Sequence, residues 1–358
     1  MTLPLTIRAW LARRLATPDF QQLAIRMPLL RRIARRRART LFTLSTGFVQ
    51  SQVLLALLRS GVLDALRDGP RRLDALASVL DVSADRLGRL LDAAAALKLV
   101  HRRGEVVVLG DLGAALLGNP AARAMIEHHD ALYRDLAEPN ALLDVAMPAS
   151  HTARLWRYAE SPETAAYSTL MTRSQDMIAA EVLAVLPLAR RRKLLDVGGG
   201  EGAFAMAVAR RHEHLQVTVF DLPAVAPAAR DAVRRAGLEP RVAVRPGSFF
   251  ADPLPRDADA LTLVRVLHDH DDGPALELLD ACRAALPSGG LLAVAEPLAG
   301  ETPAVDAYFA MYFLAMGQGR LRTPAEVQAL LERAGFRGVR RLPTRLPLLA
   351  GVITANAP

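Results

Sequence analysis

The spacing of apolar residues changes character part-way along the chain. Between residues 45 and 118 apolar positions recur with helical period through FVQSQVLLALLRSGVLDAL, RRLDALASVL and SADRLGRLLDAAAALKLV. Ser83 stands where a helix N-cap belongs, with Asp85 in the first turn. The alternating stretch HRRGEVVVLGD then predicts a β-hairpin. Three helices and a wing are the winged-helix order. From residue 193 short β-rich runs alternate with helical ones: LLDVG, VTVFDL, VAVRPGSFF, DALTLVRVL and LLAVAEPL. That is the βαβ alternation of a parallel, doubly wound sheet. GVRRLPTR and LPLLAGVITA lie close together and predict a closing antiparallel hairpin. The fold class expected is therefore α/β, a Rossmann-like doubly wound sheet behind a mainly α, winged-helix-like domain. The division expected is 1–44, 45–118, 119–188 (a helical linker contributing to a pocket) and 189–358.

Charge singles out the first segment. Residues 1–40 hold ten arginines and one acid, Asp19, whereas the whole chain carries a net charge of only +8. The segment reads as helical in two pieces, broken near Pro18 and Pro28, with Leu, Ile, Ala, Trp10 and Phe20 among the arginines. A basic amphipathic segment can lie on an anionic membrane, bind nucleic acid as an arm, or clasp a second copy. No uncharged apolar run of about 18 residues is apparent, so no membrane span is expected. The N-terminus lacks the apolar core and cleavage site of a secretory signal. Cys282 is the single cysteine, so no internal disulfide can form; a cytoplasmic protein is expected. The helix in the recognition position, Ser83 to Val100, has charges that nearly cancel (Asp85, Arg86, Arg89, Asp92, Lys98). Phosphate binding needs a cationic face, so a packing or dimerisation role is expected and nucleic acid is not.

The strongest local signal is KLLDVGGGEGAFAMAVARR, an apolar strand running into Gly198, Gly199, Gly200 and Gly202 and then a helix. Glycines let a ligand approach the backbone at a helix N-terminus. Asp221 closes the next strand, 21 positions after Gly200, where an acid can accept hydrogen bonds from ribose hydroxyls. Both a dinucleotide and S-adenosylmethionine would suit this pair. The acid Glu201 inside the turn would repel a pyrophosphate but not a sulfonium amino acid. Downstream, His268 follows an apolar strand in VRVLHDHDD, and Glu296 ends the next strand. A histidine beside a carboxylate can take a proton near neutrality. The run from His268 to Asp272 also has metal-ligand residue types. It reads better as helix capping by Asp271 or Asp272, with no metal and with His270 structural.

DVGGGEG, FDLP, GSFF with DPLP, VRVLHDHDD and AEPLAG together resemble the small-molecule O-methyltransferases of the hydroxyindole and plant phenylpropanoid type. The resemblance covers roughly residues 45–350, the front half matching that family's dimerisation domain. It implies a homodimer that uses S-adenosyl-L-methionine, with His268 as general base and Glu296 beside it. It implies cofactor contacts from Asp196, Gly198, Gly200, Asp221, Leu222, Ser248, Phe249 and Arg265. Three positions depart from the pattern: Ser248 replaces an acid, Leu321 in GQGRLRT replaces a second orienting glutamate, and His270 replaces an aromatic. STGFVQSQVLLALLRSGVLDAL, EHHDALYRDLAEP and DAYFAMYFLAMGQGR look closer still to the carotenoid-hydroxyl O-methyltransferases of purple phototrophic bacteria, whose acceptor is hydroxyneurosporene or demethylspheroidene. That likeness implies a hydrophobic acceptor with a tertiary hydroxyl, and a pocket drawn from His128, Met171, Tyr308, Met311, Tyr312 and Met316. It also implies peripheral contact with the photosynthetic inner membrane through the basic segment. A phenol, quinone or polyketide hydroxyl is the alternative acceptor. A DNA-binding regulator with a ligand-sensing domain is the remote one.

Overall fold

The computed structural model describes residues 4–144, 150–156, 175, 177–347 and 350–358. The chain packs as two compact units, Met1–Gly118 and Asn119–Pro358.

The first unit opens with helices Leu5–Leu15, Pro18–Arg26 and Pro28–Arg59. Each proline begins a helix, in the first turn, where the missing N–H has no partner to lose. The segment is thus three helices, not two. The third runs unbroken across residue 44, and residues 41–58 within it carry no charge. By length and composition this helix could cross a membrane, contrary to the expectation of no such stretch. Its last turns, with Val53, Leu55, Leu57 and Leu58 buried, belong to the core of the unit. Helices Leu73–Val79 and Ala84–Ala96 follow, the latter capped by Ser83, whose Oγ accepts from the Arg86 N–H at 3.5 Å. The wing is β2 (Val100–Arg103) paired antiparallel with β3 (Val106–Leu109), joined on its other edge by β1 (Arg71–Arg72).

The second unit is built on a seven-stranded sheet in the order β6-β5-β4-β7-β8-β10-β9. Its strands are β4 (Lys193–Val197), β5 (Gln216–Asp221), β6 (Val242–Pro246), β7 (Ala260–Val264), β8 (Leu291–Glu296), β9 (Arg337–Leu342) and β10 (Gly351–Asn356). β4 to β8 are parallel; β10 pairs antiparallel with both β8 and β9, which is the expected closing hairpin. Every residue of β7 and β8 is buried, as strands covered on both faces must be. Leu195, Leu261 and Leu292 point to one core with Leu278 and Val327. Their neighbours Leu194, Ala260 and Leu291 point to the other with Ala205 and Val208. The parallel pairing of β5, β4, β7 and β8 sets the loops at their C-terminal edge side by side.

Candidate active site

Open parallel sheets bind ligands at the carboxyl edge of their strands. There β4 runs into the glycine turn, where Gly198 and Gly200 adopt left-handed φ of 68° and 56°. A Cβ on Gly198 would stand 2.7 Å from Val266 Cγ2, whereas one on Gly200 would meet nothing within 4 Å. The turn is packed on one side and open on the other. Asp221 ties it down: Oδ2 accepts from the Gly200 N–H and Oδ1 from the Leu222 N–H, each at 2.7 Å. Burial raises the Asp221 pKa against the pull of those two bonds. Each oxygen keeps a lone pair for a ligand hydroxyl.

Asp196 is placed differently. It is 1% exposed beneath Gly199, with Oδ1 accepting from Thr262 Oγ1 at 2.7 Å and Oδ2 unpartnered. Burial pushes its carboxyl up to about 7. It is the buried support of the turn.

After β6, Ser248 Oγ accepts from the Phe250 N–H at 3.3 Å, and the Ser248 N–H donates to Asp252. Phe249, Phe250 and His270 pack edge to face, with centroids 4.7, 5.6 and 5.1 Å apart. Burial lowers the His270 pKa and keeps its ring neutral. His270 therefore fills an aromatic's place with an aromatic's packing. Arg265 follows β7 at the same edge of the sheet. Its φ is 60°, in the left-handed region, and its charge acts on His128 and Tyr308, which belong to the aromatic pocket.

The buried His268 stands between two carboxylates. Its Nε2 lies 3.0 Å from Asp269 Oδ1 and its Nδ1 3.6 Å from Glu296 Oε2. The second distance is too long for a hydrogen bond, and neither Nδ1 nor Asp269 Oδ1 has a hydrogen-bond partner, so both contacts are ion pairs. Glu296 Oε1 accepts from the Leu267 N–H at 2.9 Å, so the carboxylate also holds the loop. Burial pulls the His268 pKa down, but Asp269 and Glu296 outweigh it and raise the ring to about 9.

Two members of this group escaped the sequence reading. Asp269 was legible only as a neighbour of His268. Arg322, 1% exposed, donates to the Leu267 carbonyl at 3.1 Å and the His270 carbonyl at 2.8 Å, and twice to Asp272 Oδ1 at 3.0 and 2.8 Å. It lies in GQGRLRT, one position after Leu321. Gly319 explains the close wrap of this segment: a Cβ there would stand 2.5 Å from the His268 carbonyl oxygen. The Arg320 N–H donates to that same oxygen at 2.9 Å. Asp271 precedes helix Asp272–Ala285 without a side-chain cap bond; its Oδ1 accepts from the Gly319 N–H at 3.1 Å. Among the described residues no cluster of His, Cys, Asp and Glu could hold a metal ion.

Helix Pro303–Met316 supplies the apolar wall. Phe313 and Phe309 lie 5.6 and 6.3 Å from the His268 ring. Tyr312 and Met316 are buried, and Tyr308, Met311 and Leu321 pack beside them with Leu132 and Leu142. His128 and His129 cap this wall, their Nε2 atoms 3.1 Å from the Tyr312 and Tyr308 hydroxyls respectively. Burial, then His129 and the Arg265 charge, press the His128 pKa down to about 4. Met171, expected in the pocket, lies outside the described residues.

Residues 42–119 match the model of an O-methyltransferase dimerisation domain, and residues 136–337 that of an O-methyltransferase domain. The chain belongs to the O-methyltransferase family. This methyltransferase is 44% identical to demethylspheroidene O-methyltransferase of Cereibacter sphaeroides, over 95% of its own length and 92% of the relative's. It is 42% identical to the Rhodobacter capsulatus protein of the same name, over 92% and 85%. Its fold superposes on human N-acetylserotonin methyltransferase in complex with S-adenosylmethionine with a TM-score of 0.75 at 27% identity, covering 89% and 97% of the two chains. S-adenosylmethionine is the cofactor of this methyltransferase, and the turn fits it. The open side of Gly200, the lone pairs of Asp221 and the acid Glu201 suit a cationic nucleoside without a pyrophosphate. The dimerisation domain supports a homodimer.

Proposed function

We propose that this methyltransferase methylates the tertiary hydroxyl at the end of a long acyclic carotenoid. The observation that carries the reading is the identity to two demethylspheroidene O-methyltransferases over nearly the whole chain. The wall of Tyr308, Phe309, Met311, Tyr312 and Phe313 suits a polyene. The division of the chain at residues 44, 118 and 188 is part of the same reading. So is peripheral contact with a membrane, because the acceptor dissolves in one.

S-adenosylmethionine supplies an electrophilic methyl group on a sulfonium. Asp196 supports the glycine turn, Gly198 and Gly200 would admit the methionine part, and Asp221 and the Leu222 backbone would hold the ribose end. Ser248, Phe249 and Arg265 would complete the cofactor's holding site. His268 is the general base. A tertiary alcohol is far too weak an acid to ionise before it attacks, so His268 takes the proton late in, or after, methyl transfer. Asp269 and Glu296 make the imidazolium that results a stable species. Alignment and exclusion of water by the aromatic wall provide most of the acceleration.

The test is methyl transfer from labelled S-adenosylmethionine to 1-hydroxyneurosporene in detergent, beside a panel of phenols. Label in the carotenoid alone is the expected result; label only in a phenol overturns the acceptor. Asp221→Ala is expected to weaken cofactor binding by about tenfold or more in calorimetry, since charge-assisted hydrogen bonds are lost. Unchanged affinity would remove its role.

A further inference from the structure

The dimerisation domain begins at residue 42, and neither family model reaches the residues before it. Those residues hold the chain's excess charge, ten arginines against Asp19. Among the described residues 4–40 only Ala24 is buried. At the start of helix Pro28–Arg59 the two residue classes separate by helical spacing. Arg31, Arg32, Arg35, Arg36 and Arg39 share one face; Leu29, Leu30, Ile33 and Ala34 share the opposite one, broken only by Arg37. Leu29 is 84% exposed and Ile33 50%, and in the preceding helices Leu5 is 82% and Trp10 58% exposed.

We propose that residues 4–40 are an arm that docks on an anionic lipid surface. The apolar face asks for an apolar partner, which a nucleic acid does not offer. The arginines ask for negative charge, which a second copy of the same arm does not offer, because two such segments repel. A bilayer with acidic headgroups satisfies both demands. Apolar side chains enter the boundary region while arginine stems lie along it with their guanidinium groups at the phosphates. From residue 42 onward the exposed apolar side chains belong to the dimerisation domain. The proposal deepens the membrane contact described above and rests on that reading. It gives the enzyme a stationary site beside an acceptor dissolved in the bilayer.

The experiment is sedimentation of the full-length dimer with carotenoid-free vesicles, either pure phosphatidylcholine or containing phosphatidylglycerol. Binding to the anionic vesicles is expected to be roughly tenfold or more tighter, and to fall in about 1 M salt. R32Q/R35Q/R36Q/R39Q should remove most of that preference, and L29S/I33S should weaken binding at unchanged net charge. Both variants should keep kcat on detergent-dispersed carotenoid. Equal binding to both vesicle types overturns the proposal, as does tighter binding to duplex DNA. Loss of the dimer in the variants overturns it too, by making a second copy the occupant. Absent vesicle binding with methylation of dispersed carotenoid intact removes the arm and leaves the acceptor reading standing.

Discussion

His268 and His128 are the same side chain in the same unit, one buried and the other half-buried, and their proton affinities move in opposite directions. Burial alone lowers an imidazole pKa, and it does so at both sites. At His268 the neighbours are carboxylates, and they reverse the effect to about 9. At His128 the neighbours are the Tyr312 hydroxyl, His129 and the charge of Arg265, and the value falls to about 4. The first site is built to carry a proton and the second to stay neutral and hold a hydrogen bond. Burial says little about a histidine until the charges around it are counted.

The largest effect should come from removing the proton carrier. His268→Ala is expected to cost about 10²-fold or more in the rate of methyl transfer, within the range of general-base contributions. Unchanged single-turnover rates would end the comparison at its catalytic side. Arg322→Met should come next. It strips donors from the Leu267 and His270 carbonyls and from Asp272, so the loop that presents His268 loosens. A rate loss of about tenfold and a destabilisation of about 2–4 kcal/mol are expected, read as a lower Tm.

A pH profile sharpens the contrast. The His268 pKa is raised from 6.5 to about 9 in the folded protein. Its ion pairs therefore contribute stability that is complete below the unfolded pKa and is lost as pH rises through about 9. The neutral base form grows over the same window. kcat/KM for the cofactor should climb with pH toward about 9 while thermal stability declines. Asp269→Asn should move the rising limb of that profile to lower pH, by about one unit. A limb that does not move would show Asp269 to be a bystander. The smallest effect belongs to the other histidine. His128→Phe should raise KM for the acceptor only a few-fold, the scale of one neutral hydrogen bond, and leave the pH profile alone. A shift in the profile would erase the distinction between the two sites.

Much of this was legible along the chain. The glycine turn follows β4, Asp221 and Glu296 end β5 and β8, and His268 lies in a short turn, Leu267–Asp269, just past β7; strand ends can be found from periodicity alone. The winged-helix order and the closing hairpin followed from the same reading. Asp269 and Arg322 were not legible as partners of the site. Arg322 is separated from its acceptors by about fifty positions, and nothing local distinguishes it from the other arginines. The length of the third helix was missed because its charged beginning hides the uncharged residues 41–58.

The sequence by itself determined the class of the sheet, the edge at which chemistry gathers and the residue types available there. These depend on period, turn residues and order, which are local. Only the tertiary structure decided which carboxylates face His268, that Arg265 acts on the aromatic pocket, and that His128 stays neutral. These depend on distances across elements far apart in the chain, and on burial, which converts a few ångströms of separation into the charge a group carries.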